Sequence, residues 1–275
     1  MVKTIKYKVD LHLHSSCSDG LLRPGELIGM ASGYGLSAVA LTDHDTVEGL
    51  EEAFTAGKKH QTEVVAGVEI GVIEKGREIH ILGYGLKKLD RLQESLYKLR
   101  SKRAGRMAAM LKALNRLGFS VSESEIAAES GEAAPGRLHL ARLLHRKGYV
   151  NSIERAFKSF IGKGQPAYIP RETYTLAQTI KLLTDCGAVP VLAHPGRACQ
   201  SLVGELVAAG IRGIEVFHPD HDFSLRHFYL QVAEAKGLVV TGGSDYHGDN
   251  SAGHQYPAHL AVDGFYLDRL KILMN

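Results

Sequence analysis

The amino-acid sequence predicts an α/β barrel interrupted by a helical insertion. Strand-like and helix-like segments alternate over residues 1–86 and again from about Tyr174 to His247, as in strand–helix units packed around one sheet. Between the two stretches the apolar period becomes helical. Seven strand-like segments carry His, Asp or Glu at their ends, where the strands of a parallel barrel feed functional loops. At 275 residues and 44% hydrophobic content, the chain can bury the core of one barrel domain or of two smaller ones.

Each element follows from local chemistry. IKYKVDLHLH alternates apolar and polar residues, as a strand with one buried face does. RPGELIGMASGYG reads as a helix opened by Pro24 and closed by Gly33 and Gly35. LSAVALTDHD is a short apolar strand breaking into charge, and TVEGLEEAFTAGKKH is a helix that Asp45 or Thr46 would cap. TEVVAGVEIGVI and REIHILGYGL read as two strands split by a turn at Glu74-Lys75-Gly76. Beyond Leu86, Leu96, Leu99, Met107, Met110, Leu114 and Leu117 recur at helical spacing. SESEIAAES, RLHLARLLHRKGY and SIERAFKSFIGKG read as three further helices. The expected boundaries are a barrel over 1–86 and 165–275 and an insertion over 87–164. The barrel resumes with helix TLAQTIKLLTDCG, strand VPVLAHP, helix LVGELVAAG, strand GIEVFHP, helix FSLRHFYLQVAEAKG and strand LVVTGGSDYH.

The formal net charge of +3 conceals an asymmetry. Residues 87–170 hold 17 Lys and Arg against 7 Asp and Glu, and the remainder 16 against 23. An acidic remainder suits cations, and a basic middle suits an anionic partner. Lys98, Arg100, Lys102, Arg103, Arg106, Lys112 and Arg116 run without an intervening acid, although a solvated helix face is the ordinary explanation of such a run. No stretch reaches the roughly 18 apolar residues of a membrane span, and MVKTIKYKVD lacks a signal-peptide core. Cys17, Cys186 and Cys199 are too few and scattered for a disulfide framework. These features favour the cytoplasm, with no membrane and no obligate protein partner.

Chemistry concentrates in VDLHLHSSCSDG and GGSDYHGD. His12 and His14, two apart on a strand, face the same way, a spacing that serves divalent ions taking imidazole with carboxylate. Alone, such a pair is more often a feature of the surface. TDHD places His44 between Asp43 and Asp45, with Asp43 suited to orient a ligand imidazole. Glu69 alone would be merely solvated, but a carboxylate can bridge two ions where an imidazole cannot. His80, between Ile79 and Ile81, reads equally well as a core histidine. In His194-Pro195-Gly196-Arg197, a ligand-type imidazole precedes a guanidinium that can hold a phosphate by two hydrogen bonds. Asp245 and His247 follow Gly242 and Gly243, whose lack of side chains permits close backbone approach. His218, in EVFHPDH, is a candidate general acid or phosphate contact.

In this order, HLHS with its following DG, TDHD, GVE, His80, AHPGR and GSDYH resemble the motifs of the PHP phosphoesterase family, named for polymerase and histidinol phosphatase. The resemblance implies a distorted (β/α)7 TIM-like barrel with three divalent ions per chain, Mn2+ favoured and Zn2+ or Fe2+ as alternatives. It gives His12, His14, Glu69 and Asp245 to one ion and Glu69, His80 and His194 to a second. Asp19, His44 and His247 take the third, and Asp10 falls outside the set. On Arg137 and His139 of GRLHLAR, and on GKGQPAY, the insertion resembles the helical domain of the subgroup acting on 3′,5′-nucleoside bisphosphates and RNA ends. The implied substrate is a small anionic nucleotide losing its 3′-phosphate, as adenosine 3′,5′-bisphosphate does in becoming AMP. Trimming of short RNA from its 5′ end is a second implied activity. Arg137, His139, Arg197 and His218 would contact substrate, with Arg197 and His218 acting in catalysis.

The mechanism expected is attack on phosphorus by a hydroxide bridging two ions, with the ions and Arg197 neutralising the phosphoryl oxygens. Three rivals stand beside it. A histidinol-phosphate-type phosphatase or general phosphodiesterase is disfavoured by the large basic insertion. An amidohydrolase also opens with HxH but generally bridges its ions through a lysine, where this chain has Glu69. A non-catalytic, metal-stabilised nucleotide-binding module usually lacks ligands that this chain retains.

Overall fold

The computed structural model describes residues 7–131, 133–170, 173–248, 256–257 and 260–275, with the side chains of 99–104 outside that description. Its strands are β1 (Lys8–Leu13), β2 (Leu36–Leu41), β3 (Glu63–Glu74), β4 (Arg77–Tyr84), β5 (Val189–Leu192), β6 (Gly213–Phe217), β7 (Val239–Gly242) and β8 (Val262–Asp263). They form one sheet in the order β7-β6-β5-β4-β3-β2-β1-β8. Just past β7, Tyr246 pairs in parallel with Leu13 of β1, which curls the sheet into a nearly closed barrel. The helices are α1 (Pro24–Gly33), α2 (Leu50–His60), α3 (Leu89–Arg116), α4 (Glu123–Ser130), α5 (Arg137–Arg146), α6 (Ile153–Ala156), α7 (Leu176–Asp185), α8 (Val203–Ala208), α9 (Phe223–Lys236) and α10 (Gly264–Met274). A π-helical turn over Phe157–Ile161 extends α6.

The distortion of the barrel lies in one hairpin. β4 runs antiparallel to both β3 and β5, because Lys75 and Gly76 turn the chain back with φ of +47° and +71°. His80 is therefore the fourth residue of a reversed strand rather than the end of a parallel one. Glu69 likewise lies inside β3, which continues to Glu74. The predicted alternation of β1 is also replaced: Val9 to Leu13 are all buried, since barrel strands are covered on both faces. Residues 5 and 6 of that predicted strand lie outside the described residues. Neither Asp45 nor Thr46 caps α2, which starts after Gly49; Asp45 instead adopts φ +51°. Past the predicted strands the chain adds β8, antiparallel to β1, and α10.

Of the four apolar cores among the described residues, three tie the barrel to its helices and to the insertion. One joins Ile28, Leu50 and Leu183 of α1, α2 and α7 to Val39, Ile70 and Ile81, and includes Leu92 and Leu96 of α3. A second joins Val9, Leu11 and Val191 to Leu267 and Leu270 of α10. The third belongs to the insertion: Met107, Met110 and Leu114 of α3 pack with Ile126, Leu140, Leu144 and Ile161. The long α3 is thus rooted in the barrel and ends in the insertion. No helix among the described residues is long and apolar enough to cross a membrane.

Candidate metal centre

The tips of the strands are held together by their backbones. The Asp245 N–H donates to His12 O at 2.9 Å and the His14 N–H to Tyr246 O at 3.1 Å, tying β1 to the β7 loop. Across the barrel, Asp45 N–H donates to Glu69 O at 2.9 Å and Glu69 N–H to Asp43 O at 3.2 Å. Gly243 makes the first approach feasible, since a Cβ there would lie 2.5 Å from His12 Cβ. Gly20 plays the same part for Asp19, because a Cβ would sit 2.3 Å from His14 O. Asp43 accepts from Ser15 N, Ser15 Oγ and Ser18 Oγ at 2.7, 2.6 and 2.6 Å. It therefore holds the turn that carries Asp19, instead of orienting an imidazole.

These contacts gather nine side chains singled out in the sequence. His12 Nε2 and His14 Nε2 lie 3.0 Å apart. Both face Glu69 Oε2, at 3.4 and 3.3 Å, and Asp245 Oδ1, at 3.3 and 3.1 Å. Donors of a tetrahedral ion with bonds near 2.1 Å stand about 3.4 Å apart, so this spacing suits a shared cation. The other Glu69 oxygen, Oε1, lies 2.8 Å from His80 Nδ1 and 2.9 Å from His194 Nε2. His247 Nε2 lies 3.4 Å from Asp19 Oδ1. His44 Nδ1, 3.2 Å from Glu69 Oε2, stands between this last group and Glu69.

A test of whether ions fit comes from buried polar atoms. His14 Nδ1, Asp19 Oδ1 and His44 Nδ1 are enclosed without a well-formed hydrogen bond, although such atoms ordinarily find partners. Ligand atoms of His14, Asp19, His44 and His247 lie within 4.8 Å of one another. A divalent cation held by Asp19, His44 and His247 would satisfy Asp19 Oδ1 and His44 Nδ1 at once. Two candidate ligand residues, His194 and Asp245, also take positive φ, +22° and +53°, strain of the kind that functional sites retain.

The electrostatics agree. Burial alone would depress the His12 imidazole, but Glu215, Asp245 and Glu69 outweigh it and hold the group well above its ordinary value. His14 is raised to about 10, as Asp245 and Glu69 overcome the same burial. His44 yields to burial and falls to about 3. Burial works against the charged forms of Asp19, Glu69 and Asp245, yet surrounding imidazoles keep all three well below the usual carboxylate range. The cluster is a set of carboxylates holding protons on neighbouring imidazoles, a charge pattern that a divalent cation would replace.

The insertion covers the cluster. A cavity of 170 Å³ has Asp19, His44 and His80 on one wall and Arg106, Arg137 and Phe157 on the other. Arg137 donates to Glu78 at 2.6 Å. His139 is buried, its Nδ1 accepting the Gly136 N–H at 3.0 Å, and it does not line this cavity. Arg197 lies apart: its side chain is 62% exposed and pairs with Asp222. His218 is buried at the edge of the cluster, with Nε2 3.5 Å from Asp245 Oδ2. Of the basic run, Lys98 pairs with Glu94 and Lys112 and Arg116 are exposed. Arg106 turns inward, donating to Ile169 O at 2.7 Å. The side chains of Arg100, Lys102 and Arg103 lie outside the described residues.

Sequence reasoning passed over three supporting residues. Glu215 is buried beside His12 at 2.9 Å, and a charge in the apolar strand GIEVF was its signal. Arg142, from the insertion, donates to Asp19 O at 2.7 Å. His221 accepts the Gly196 N–H at 3.2 Å and so braces the loop after His194. Nothing in their local sequence marks the last two.

A barrel with this concentration of imidazole and carboxylate at its strand tips defines a metal-type hydrolase. The chain belongs to the PHP family, whose domain profile matches residues 10–200. It is 33% identical over 251 residues to a 5′-3′ exoribonuclease of Haemophilus influenzae, covering 87% of this chain and 90% of that protein. It is 32% identical over 260 residues to a 3′,5′-nucleoside bisphosphate phosphatase of Chromobacterium violaceum, with 89% of each covered. A phosphoribosyl 1,2-cyclic phosphate 1,2-diphosphodiesterase of Eggerthella lenta is 34% identical over 248 residues, covering 87% of this chain and 94% of that one. A crystal structure from Bifidobacterium adolescentis, provisionally described as a metal-dependent phosphoesterase, superposes with a TM-score of 0.87 at 26% identity, covering 96% of both chains. A Chromobacterium violaceum structure described as an amidohydrolase superposes with a TM-score of 0.85 at 29% identity, covering 96% of both chains. With relatives named phosphatase, phosphodiesterase and exoribonuclease, the protein is a hydrolase acting on phosphoric ester bonds, and the non-catalytic reading falls away.

Proposed function

We propose that the protein removes a phosphate from a nucleotide, with the 3′-phosphate of a 3′,5′-nucleoside bisphosphate as the preferred group, and that it holds three divalent ions, Mn2+ favoured. The cavity between the cluster and the insertion carries this reading. One wall offers ligands for ions that take the reacting phosphate, and the facing wall offers Arg106 and Arg137. A substrate with two phosphates uses both walls. The similarity to a nucleoside bisphosphate phosphatase supports the same choice, and trimming of short RNA is the related activity that the exoribonuclease relative suggests.

His12, His14, Asp19, His44, Glu69, His80, His194, Asp245 and His247 would hold the ions, which would supply charge neutralisation and acidify water for attack on phosphorus at neutral pH. As the water oxygen bonds to phosphorus the ester P–O bond breaks, and the leaving oxygen needs a proton. His218 is placed to give it. Its Nε2 lies 3.5 Å from Asp245 Oδ2, at the edge of the cluster. Arg137 orients the second phosphate by exchanging Glu78 for it. Arg197 reaches substrate only by giving up Asp222, and His139 supports Arg137 from beneath through the Gly136 turn.

The test is turnover by the Mn2+-loaded protein, read as phosphate release from adenosine 3′,5′-bisphosphate, 3′-AMP and AMP, and as product formation by chromatography from a 1,2-cyclic ribose phosphate and short 5′-phosphorylated RNA. The expected order puts the bisphosphate first in kcat/KM. A cyclic diester or a monophosphate turned over faster would overturn the assignment.

A further inference from the structure

Glu215 stands in β6 as the one charged residue of an apolar strand, GIEVF, and is fully buried. Its Oε1 and Oε2 lie 2.9 and 3.2 Å from His12 Nδ1, and Oε2 also accepts the backbone N–H of His194 at 2.8 Å. A buried carboxylate is costly unless its oxygens are engaged in this way. We infer that Glu215 is a positioning residue that fixes two metal ligands, His12 and His194, at once. The inference rests on the multi-ion centre proposed above.

The chemistry follows from the two ends of an imidazole. With Nδ1–H committed to Glu215, the His12 lone pair resides on Nε2, the atom aimed at Glu69 and Asp245. The second contact acts on the backbone. His194 holds φ of +22°, a costly conformation for a residue with a Cβ, and Glu215 anchors the N–H of that same residue. The His12 and His194 rings stack 5.5 Å apart at 20° between planes. One carboxylate thus sets the spacing between a ligand assigned to one ion and a ligand assigned to another. Because His12 already uses Nδ1 for Glu215, this carboxylate works through the ligands and not as one of them.

The experiment is a Mn2+ titration of the full chain and of Glu215→Gln and Glu215→Ala, read by calorimetry and by bound metal after desalting. Circular dichroism monitors the fold. Glu215→Gln keeps one acceptor oxygen and is expected to weaken uptake of the ions held by His12 and His194 by tenfold to a hundredfold. Activity should return as Mn2+ is raised in proportion. Affinity within twofold of wild type overturns the inference. So does loss of an ion that no Mn2+ concentration restores, which would make Glu215 a ligand itself. If neither variant folds, nitrogen-15 spectra of the Zn2+-loaded wild type decide: a proton on His12 Nδ1 supports the role, and one on Nε2 refutes it. A wild-type chain that takes up no Mn2+ would instead remove the proposed metal centre.

Discussion

Arg137→Ala probes whether the insertion chooses the substrate. In the free protein Arg137 donates to Glu78 at 2.6 Å, both side chains being 21% exposed, and its guanidinium lies 5.6 Å from the Phe157 ring and 5.9 Å from that of Tyr168. A substrate phosphate replacing Glu78 makes charge-assisted hydrogen bonds, which contribute about 1.5–3 kcal/mol. Their loss lowers kcat/KM for adenosine 3′,5′-bisphosphate by about ten- to a hundredfold. p-Nitrophenyl phosphate, with nothing to present to Arg137, should lose less than about threefold by the same reasoning. The variant also leaves the Glu78 carboxylate facing an anionic substrate without the Arg137 charge. Arg137→Ala combined with Glu78→Gln should therefore regain part of the bisphosphate activity and none of the p-nitrophenyl phosphate activity. The assay is phosphate release at saturating Mn2+. Equal losses on both substrates would refute the reasoning and reduce Arg137 to a structural tie between the insertion and the β3–β4 hairpin.

Five further outcomes are expected. His218→Asn should cut kcat for the bisphosphate by about a hundredfold or more, and far less for p-nitrophenyl phosphate, whose leaving group needs no proton; matching losses would remove His218 from the acid role. Chelation should abolish phosphate release and added Mn2+ restore it, with Mn2+ at a hundred times its Kd stabilising the fold by about 2.7 kcal/mol in thermal denaturation; an unshifted melting temperature would count against a built site. Because His14 is raised to about 10 and His12 is held well above its ordinary value, Mn2+ must displace protons, so affinity should rise between pH 7 and 9 and calorimetry in two buffers should register the release. The raised His14 stabilises the metal-free fold fully below its unfolded pKa of 6.5, and that contribution disappears as pH climbs through about 10; a metal-free melting temperature unchanged over that window would contradict it. Asp43→Ala, which removes three hydrogen bonds from the turn carrying Asp19, should destabilise the protein by about 3 kcal/mol in urea denaturation.

The candidate ligands were legible in the chain because metal chemistry restricts residue type and strand geometry restricts spacing. His12 and His14, two apart on extended backbone, can serve one cluster. The alternation of strand and helix likewise announced the barrel, and the Lys75-Gly76 turn its hairpin. The reversal of β4 that this turn brings moves His80 from a strand end to a strand interior. Arg197 illustrates the converse. Its sequence context suits a phosphate, yet which way its side chain turns depends on Asp222, 25 residues away.

By itself, the sequence determined the barrel class, the basic character of the insertion and which residues are candidate donors, since each follows from residue type or short-range period. The tertiary structure alone decided who supports those donors. Glu215 meets His12 across 203 positions, Arg142 meets the Asp19 loop across 123, and Arg106 turns inward while Lys112 on the same helix does not. Such pairings join side chains far apart in the chain, and their energies depend on burial and distance, which a linear pattern does not contain.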